Sequence, residues 1–142
     1  MSARRMYQLP VEELAQLIRP AGYYNMKAQR LRHFLDVLVG QFGASLKRLM
    51  QGDTAVVRER LLAINGIGPE TADSMLLYAG YHPSFVIDAY TKRIFSRHNW
   101  CDEQTDYDAL QQLCRSSLSQ RKTPEHLDYW QDYHAQLVVI GN

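Results

Sequence analysis

An all-α fold is what this sequence predicts, and three observations predict it. Apolar residues recur every three or four positions through most of the chain, the period of a helix with one buried face. Proline and glycine fall between those segments, at Arg19-Pro20-Ala21-Gly22, Gln51-Gly52-Asp53 and Gly80-Tyr81-His82-Pro83, where they end helices. The one β-like stretch, Phe85-Val86-Ile87, is three residues long. With 142 residues, 46% of them apolar and 22% charged, the chain is long enough to bury a core as a single helical domain, 1–142.

Pro10 opens a first helix with Val11, Leu14, Leu17 and Ile18 on one face, and the Pro20-Ala21-Gly22 turn ends it. Asn25 is a good N-cap for a second helix, whose apolar positions are Ala28, Leu31, Phe34, Leu35, Leu38, Val39 and Phe42. Gly40 and Gly43 bracket its end, and a short helix comes next over about 44–50. Asp53 or Thr54 caps the next helix, which buries Val56, Val57, Leu61, Leu62 and Ile64. A helix opened by Pro69 runs to about Ala79, and one opened by Asp88 or Ala89 runs to about His98, burying Ile94 and Phe95. Two amphipathic helices over 106–119 and 124–140 finish the chain, with Asp106 and Thr123 as caps and Pro124 in a first turn.

Composition excludes several classes. No apolar run approaches the roughly 18 residues of a membrane span, and no apolar stretch comes after Arg4 and Arg5 as a secretory signal requires. A cytoplasmic, nucleoid-associated protein of bacterial type is expected. Cys101 and Cys114 are too few for a disulfide framework or a cluster held by four thiolates. His33, His82, His98, His126 and His134 lack metal-ligand spacing; His98 with Cys101 and Cys114 is a weak zinc pattern, so no metal is assigned. Trp100 and Trp130 read as packing residues. The net charge of +1 conceals a gradient: residues 1–50 carry eight basic and three acidic side chains, residues 101–142 three basic and seven acidic. Such polarity gives either a basic face for a polyanion or an ordinary solvated helical surface.

The most informative stretch is Asn65-Gly66-Ile67-Gly68-Pro69-Glu70-Thr71-Ala72. Two glycines flank one apolar residue between two helices, so the chain reverses tightly and Ile67 points inward. The amides of Gly66 and Gly68 are left bare beside a helix N-terminus, a place that attracts phosphate. A hairpin of this kind grips a nucleic-acid backbone without reading bases. A tight turn with no ligand is the alternative.

Asp88 stands twenty positions after Gly68, behind a Gly/Pro loop and three apolar residues. It is a natural N-cap. Partly desolvated, the same carboxylate steers a water and supports a developing positive charge, as glycosidic-bond cleavage requires.

Hairpin, Gly/Pro loop and Asp88 together resemble the HhH-GPD superfamily of base-excision DNA glycosylases, the endonuclease III group, over about Leu61 to Arg97. Three segments are more similar to its bacterial 3-methyladenine DNA glycosylase branch: Ile18-Arg19-Pro20-Ala21-Gly22-Tyr23-Tyr24-Asn25-x-Lys27-Ala28-x-Arg30-Leu31; Gly66 to Asp73; and Asp106-Tyr107-Asp108-x-Leu110-Gln111 with Tyr133-His134. The resemblance implies a helical HhH-GPD-like domain lacking some N-terminal helices, so that the chain is a fragment or truncated. It implies that Asp88 is catalytic and that Gly66, Ile67, Gly68 and Thr71 hold DNA phosphate. Lys27, Arg30 and Arg93 become DNA-facing cations, although solvated surface charge describes them equally. Lys92 and Arg93, four and five positions after Asp88, are placed to keep it ionised or to meet phosphates. Tyr23 and Tyr24 are candidates for stacking on a base, with plain packing as the alternative.

Two departures shape the expected chemistry. Lyase-type members carry a lysine at the position of Glu70, where it attacks the sugar; a carboxylate forms no imine. Glu70 is either an active-site group or an anion favoured in a helix's first turn. Lyase-type members also end in a four-cysteine cluster motif that is not found here. The resemblance therefore implies a monofunctional DNA glycosylase (a hydrolase of damaged, alkylated purine bases in base excision repair) that uses water, needs no iron–sulfur cluster or other cofactor, and acts on double-stranded DNA as a monomer. Two alternatives remain: a non-catalytic module that binds the DNA backbone through the hairpin, and a helical interaction domain that binds no nucleic acid.

Overall fold

The structure is a computed structural model that describes residues 2–119 and 127–142. The expected cap at Thr123, the turn at Pro124 and His126 lie outside the described residues. Regular structure among the described residues is helical throughout: α1 (Ala3–Tyr7), α2 (Val11–Leu17), α3 (Tyr24–Gly40), α4 (Leu46–Leu49), α5 (Thr54–Leu62), α6 (Pro69–Tyr78), α7 (Ala89–Arg97), α8 (Tyr107–Ser119) and α9 (Leu127–Gly141). A 3-10 turn occupies Arg19–Ala21. The chain divides into two compact units, Met1–Gly68 and Pro69–Asn142, and the division falls within the glycine hairpin.

In the first unit α1 and α2 both lie against α3. Leu14, Ala15, Ala28 and Leu35 form the buried centre, with Ile18, Tyr24 and Leu31 packed on it. The short α1 was not expected, because five residues display less than two turns of periodicity. Ser2 caps it by accepting the Arg5 amide. Arg32 on α3 donates to the carbonyls of Tyr7 and Leu9, which ties the α1–α2 connection to the helix beneath.

Several expected positions shift. Leu17 is 56% exposed, because Val11, Leu14, Ala15 and Ile18 define the stripe of α2 and Leu17 falls outside it. Val56 is 51% exposed, since the face of α5 is set by Val57 and Leu61, four apart, and Val56 lies off it. Ile94 and Leu62 are half-buried. Asn25 is not the cap of α3: Gly22 and Tyr23 both adopt left-handed backbone, at φ 65° and 48°, so the helix starts earlier and Tyr23 is its N-cap. The helix expected over 44–50 is the shorter α4, because Ala44 is left-handed at φ 63° and Ser45 serves as the N-cap. Trp100 is 59% exposed, stacked against His98 at 5.0 Å, whereas Trp130 is buried as expected.

In the second unit α9 packs on α6 and α7. Its core joins Leu77, Phe85, Val86, Ile87, Phe95, Leu110 and Trp130. Phe85 to Ile87 have no regular secondary structure and are almost wholly buried. Buried backbone polar groups must still be paired. Side chains of α8 do this: Gln111 Nε2 donates to the Phe85 carbonyl at 2.7 Å, and Ile87 N–H donates to the Tyr107 hydroxyl oxygen at 3.3 Å. Ser84 Oγ donates to the fully buried Asp73 carboxylate on α6 at 2.6 Å.

Replacing Gln111 with alanine strands a buried carbonyl, so Gln111→Ala is expected to lower stability by about 1–3 kcal/mol; urea unfolding with an unchanged m value is the check. Burial, and secondarily Cys101, push the Cys114 thiol from 9.0 up to about 12. Native Cys114 is then expected to resist iodoacetamide at pH 8.5 while the unfolded chain reacts. Because the unfolded thiol ionises first, stability present below about pH 9 is lost progressively as pH rises toward 12. Mass-mapped alkylation and unfolding between pH 8 and 10 test both.

Candidate active site

The capping role of Asp88 and its candidate chemistry use different oxygens. Asp88 is the N-cap of α7, and its Oδ1 accepts both the Thr91 N–H at 2.7 Å and the Thr91 hydroxyl at 2.8 Å. Thr91 is fully buried and Asp88 is 9% exposed. Oδ2 faces Nε2 of His134 on α9 at 3.5 Å. The other imidazole nitrogen, Nδ1, lies 2.7 Å from the hydroxyl of Tyr78, the last residue of α6. Partial burial, and then the Asp88 charge, raise the Tyr78 phenol above its ordinary value. One carboxylate is thus gripped at one oxygen and aimed with the other.

The expected neighbour of Asp88 was Lys92, four residues on. Lys92 Nζ instead donates to the Thr105 carbonyl at 3.3 Å, and His134 takes that place. His134, Tyr78 and Thr91 were not selected from sequence. Thr91 had a signal, since the third residue after an N-cap offers its N–H to the cap. His134 had one too: it shares the buried stripe of α9 with Trp130 and Leu137, four before and three after, and a polar group on such a stripe needs a partner. Tyr78, at a helix end, had none. Arg93, also on α7, donates to the Gly141 carbonyl at 2.9 Å and covers the Tyr90 ring. Glu70 and Thr71 are exposed in the first turn of α6. Tyr81, 74% exposed and left-handed at φ 55°, stands in the loop leading to Asp88.

In the first unit the hairpin residues Gly66 to Gly68 come after α5. Gly66 has φ +92°. A Cβ there would lie 2.5 Å from Cγ of Arg30, whose stem lies across the turn from α3. His33 Nδ1, also on α3, meets the Asn65 carbonyl at 3.2 Å. The Ile67 amide, expected to hold phosphate with those of Gly66 and Gly68, instead donates to the Ile64 carbonyl at 3.0 Å, which closes the turn. Gly68 lacks a positive φ, and a Cβ on it would meet nothing within 4 Å. Lys27 donates to the Ala21 carbonyl, which holds the 3-10 turn against α3. Tyr23 is 83% exposed, while Tyr24 packs on the first core. A hollow of about 930 Å³ in this unit, beside Leu9, Glu13 and Leu17, is lined by none of these candidates. Among the described residues no group of three or more His, Cys, Asp or Glu side chains is placed to hold a metal ion.

Comparison with known proteins gives a consistent result. The family model for HhH-GPD superfamily base excision DNA repair proteins matches residues 1–120. A protein of Methanocaldococcus jannaschii, described as a candidate DNA repair glycosylase, is 43% identical over 128 residues, 89% of this chain and 56% of that protein. The Helicobacter pylori 3-methyladenine DNA glycosylase bound to 1,N6-ethenoadenine matches with TM-score 0.73 and 30% identity, over 96% of this chain and 65% of that one. Endonuclease III in a non-covalent DNA complex matches with TM-score 0.71 and 20% identity, over 96% and 57%, a likeness of fold. The chain spans between half and two thirds of the length of these proteins.

The two glycines are expected to behave differently. Gly66→Ala forces a side chain into left-handed backbone and into Arg30, and should cost more than about 1 kcal/mol. Gly68→Ala, in open space, should stay within about 0.5 kcal/mol of the parent. Thermal or urea unfolding of the pair is the measurement; equal losses would remove the distinction.

Proposed function

The chain belongs to the HhH-GPD superfamily of base excision DNA repair proteins, and from that premise we propose that it is a monofunctional DNA glycosylase which hydrolyses the N-glycosidic bond of alkylated purines in double-stranded DNA. One observation carries this reading: Asp88 Oδ1 accepts two bonds from Thr91 while Oδ2 has a longer, 3.5 Å contact with His134 Nε2, on a residue 9% exposed. A flipped nucleotide brings its C1′ to that oxygen. The C1′–N bond breaks, the base leaves with the electron pair, and the carboxylate supports the oxocarbenium sugar. Water then attacks C1′ and gives its proton to Oδ2. A purine alkylated on a ring nitrogen already carries positive charge and departs neutral, so no separate general acid is required.

The resemblance places Glu70 where a lyase carries its lysine, so no Schiff base is formed. The Gly66 and Gly68 amides hold a backbone phosphate, Gly68 having the open space for close approach. The protein acts as a monomer. A second reading, DNA-backbone binding without excision, needs the hairpin alone, where Gly68 has open space around it.

Release of methylated purines from dimethyl-sulfate-treated duplex DNA tests the assignment. Asp88→Asn is expected to lower the single-turnover rate by on the order of 10²–10⁴-fold, with DNA affinity retained and steeply salt-dependent. Borohydride on abasic DNA is expected to trap no covalent product. Salt-dependent binding with no excision of any lesion would select the second reading, and a trapped adduct would overturn the monofunctional assignment.

A further inference from the structure

Asp88 is restrained from both sides, and the second restraint has no part in capping. His134 is half-buried on the inner stripe of α9, and both of its ring nitrogens face partners: Nδ1 the Tyr78 hydroxyl at 2.7 Å, Nε2 the Oδ2 of Asp88 at 3.5 Å. The proton on a neutral imidazole must sit on one of these nitrogens. A bare Nε2 would point its lone pair at a carboxylate oxygen, which repels. A proton on Nε2 turns the contact into a donated one and leaves Nδ1 to accept from Tyr78. The Tyr78 phenol, protonated at neutral pH as any tyrosine hydroxyl is, has that proton to give. Every donor in the row then points the same way: Tyr78 O–H to Nδ1, and Nε2–H to Oδ2. The 3.5 Å separation lies beyond an ordinary hydrogen bond. Such contacts are often long in unliganded enzymes and tighten around substrate.

We propose that His134 is a positioning residue for the Asp88 carboxylate: as the Nε2–H tautomer, set by Tyr78, it fixes Oδ2 toward the sugar while Thr91 fixes Oδ1. Oδ2 keeps a lone pair for the water proton, and the carboxylate loses its freedom to rotate away. This rests on the glycosylase reading above, and it adds two residues that the hairpin–loop–Asp pattern does not contain.

Two measurements on the full chain test it. In ¹⁵N-labelled protein the His134 ring is expected to show the Nε2–H tautomer at neutral pH. Its Nε2–H signal should move in Asp88→Asn, and Tyr78→Phe should mix the tautomers. In single-turnover release of methylpurines from dimethyl-sulfate-treated duplex DNA, His134→Ala is expected to lose about tenfold to a hundredfold, as displacement of a reactive group by an ångström does, with DNA affinity changed less than about twofold. His134→Gln, which keeps an N–H at similar reach, should recover most of that rate. Asp88→Asn with His134→Ala should be no slower than Asp88→Asn alone, because the second residue acts through the first. An unchanged rate in His134→Ala, equal losses in the Gln and Ala variants, additive losses in the double variant, or an Nδ1–H tautomer would each overturn the proposal. If the parent chain releases no methylpurine, the glycosylase reading fails, and the resonance experiment decides the pairing alone: an Nε2–H signal that responds to Asp88→Asn upholds it, and any other result overturns it.

Discussion

The second unit depends on burying a short segment whose backbone lies outside any helix or strand. Phe85, Val86 and Ile87 supply apolar surface to the core, yet each also brings an amide and a carbonyl that resist burial. Gln111 and Tyr107 from α8 provide the partners, so α8 is held to the segment by polar contacts as well as by Leu110. Ser84, bonded to the buried Asp73 of α6, anchors the segment at its start. Asp88 anchors its end by capping α7. The carboxylate therefore sits at the exit of a tightly specified run of backbone, not on a loose loop, and its position inherits the rigidity of α6, α7 and α8. Preorganisation of this kind is what an electrostatic role in a reaction requires.

A comparable economy governs the basic residues of the first unit. Residues 1–50 carry an excess of five positive charges, but several of those side chains have internal work. Arg4 donates to the Gly43 carbonyl, Lys27 to Ala21, and Arg32 to Tyr7 and Leu9. Each satisfies a carbonyl at a turn or helix end, where cations are favoured. Arg30, an exposed residue, lays its stem across Gly66 and donates from its guanidinium to Met26 Sδ. The two alternatives for this basic end, anion-binding face and plain surface, are thus joined by a third: part of the excess closes turns, and Arg30 is the cation that both shapes the hairpin and lies beside it.

Features were legible in the sequence where the interactions that set them are local. Helical periodicity placed α2, α3, α5, α6, α7 and α8 to within a few residues, because each depends on its own stripe. The hairpin and Asp88 were legible because glycine, proline and a capping aspartate have narrow conformational uses. Two kinds of feature were not. One-residue errors, such as Leu17, Val56 and the cap at Asn25, arise where a stripe has several apolar members and only packing selects among them. Long-range partnerships were hidden altogether: His134 lies 46 positions from Asp88 and Tyr78 lies 56 from His134, and no local pattern joins them. The Ile67 amide was misjudged for a related reason, since a turn this tight uses its own donors before offering any outward.

The character of the groups around Asp88 also bears on what reaction they suit. Thr91 and His134 surround it with donors, and Tyr78 completes the row with a hydroxyl whose proton is firmly held. Lys92, the amine nearest in sequence, is turned to the Thr105 carbonyl. Donors on a carboxylate hold its charge in place, which suits stabilising a cation. A leaving group that needs protonation would make heavier demands than this. An alkylated purine makes lighter ones, because its own positive charge weakens the glycosidic bond and what remains is to shelter the sugar cation until water arrives. The electrostatics at Asp88 and the substrate class proposed for it therefore support each other from independent starting points: one from the hydrogen bonds, the other from the charge of the base.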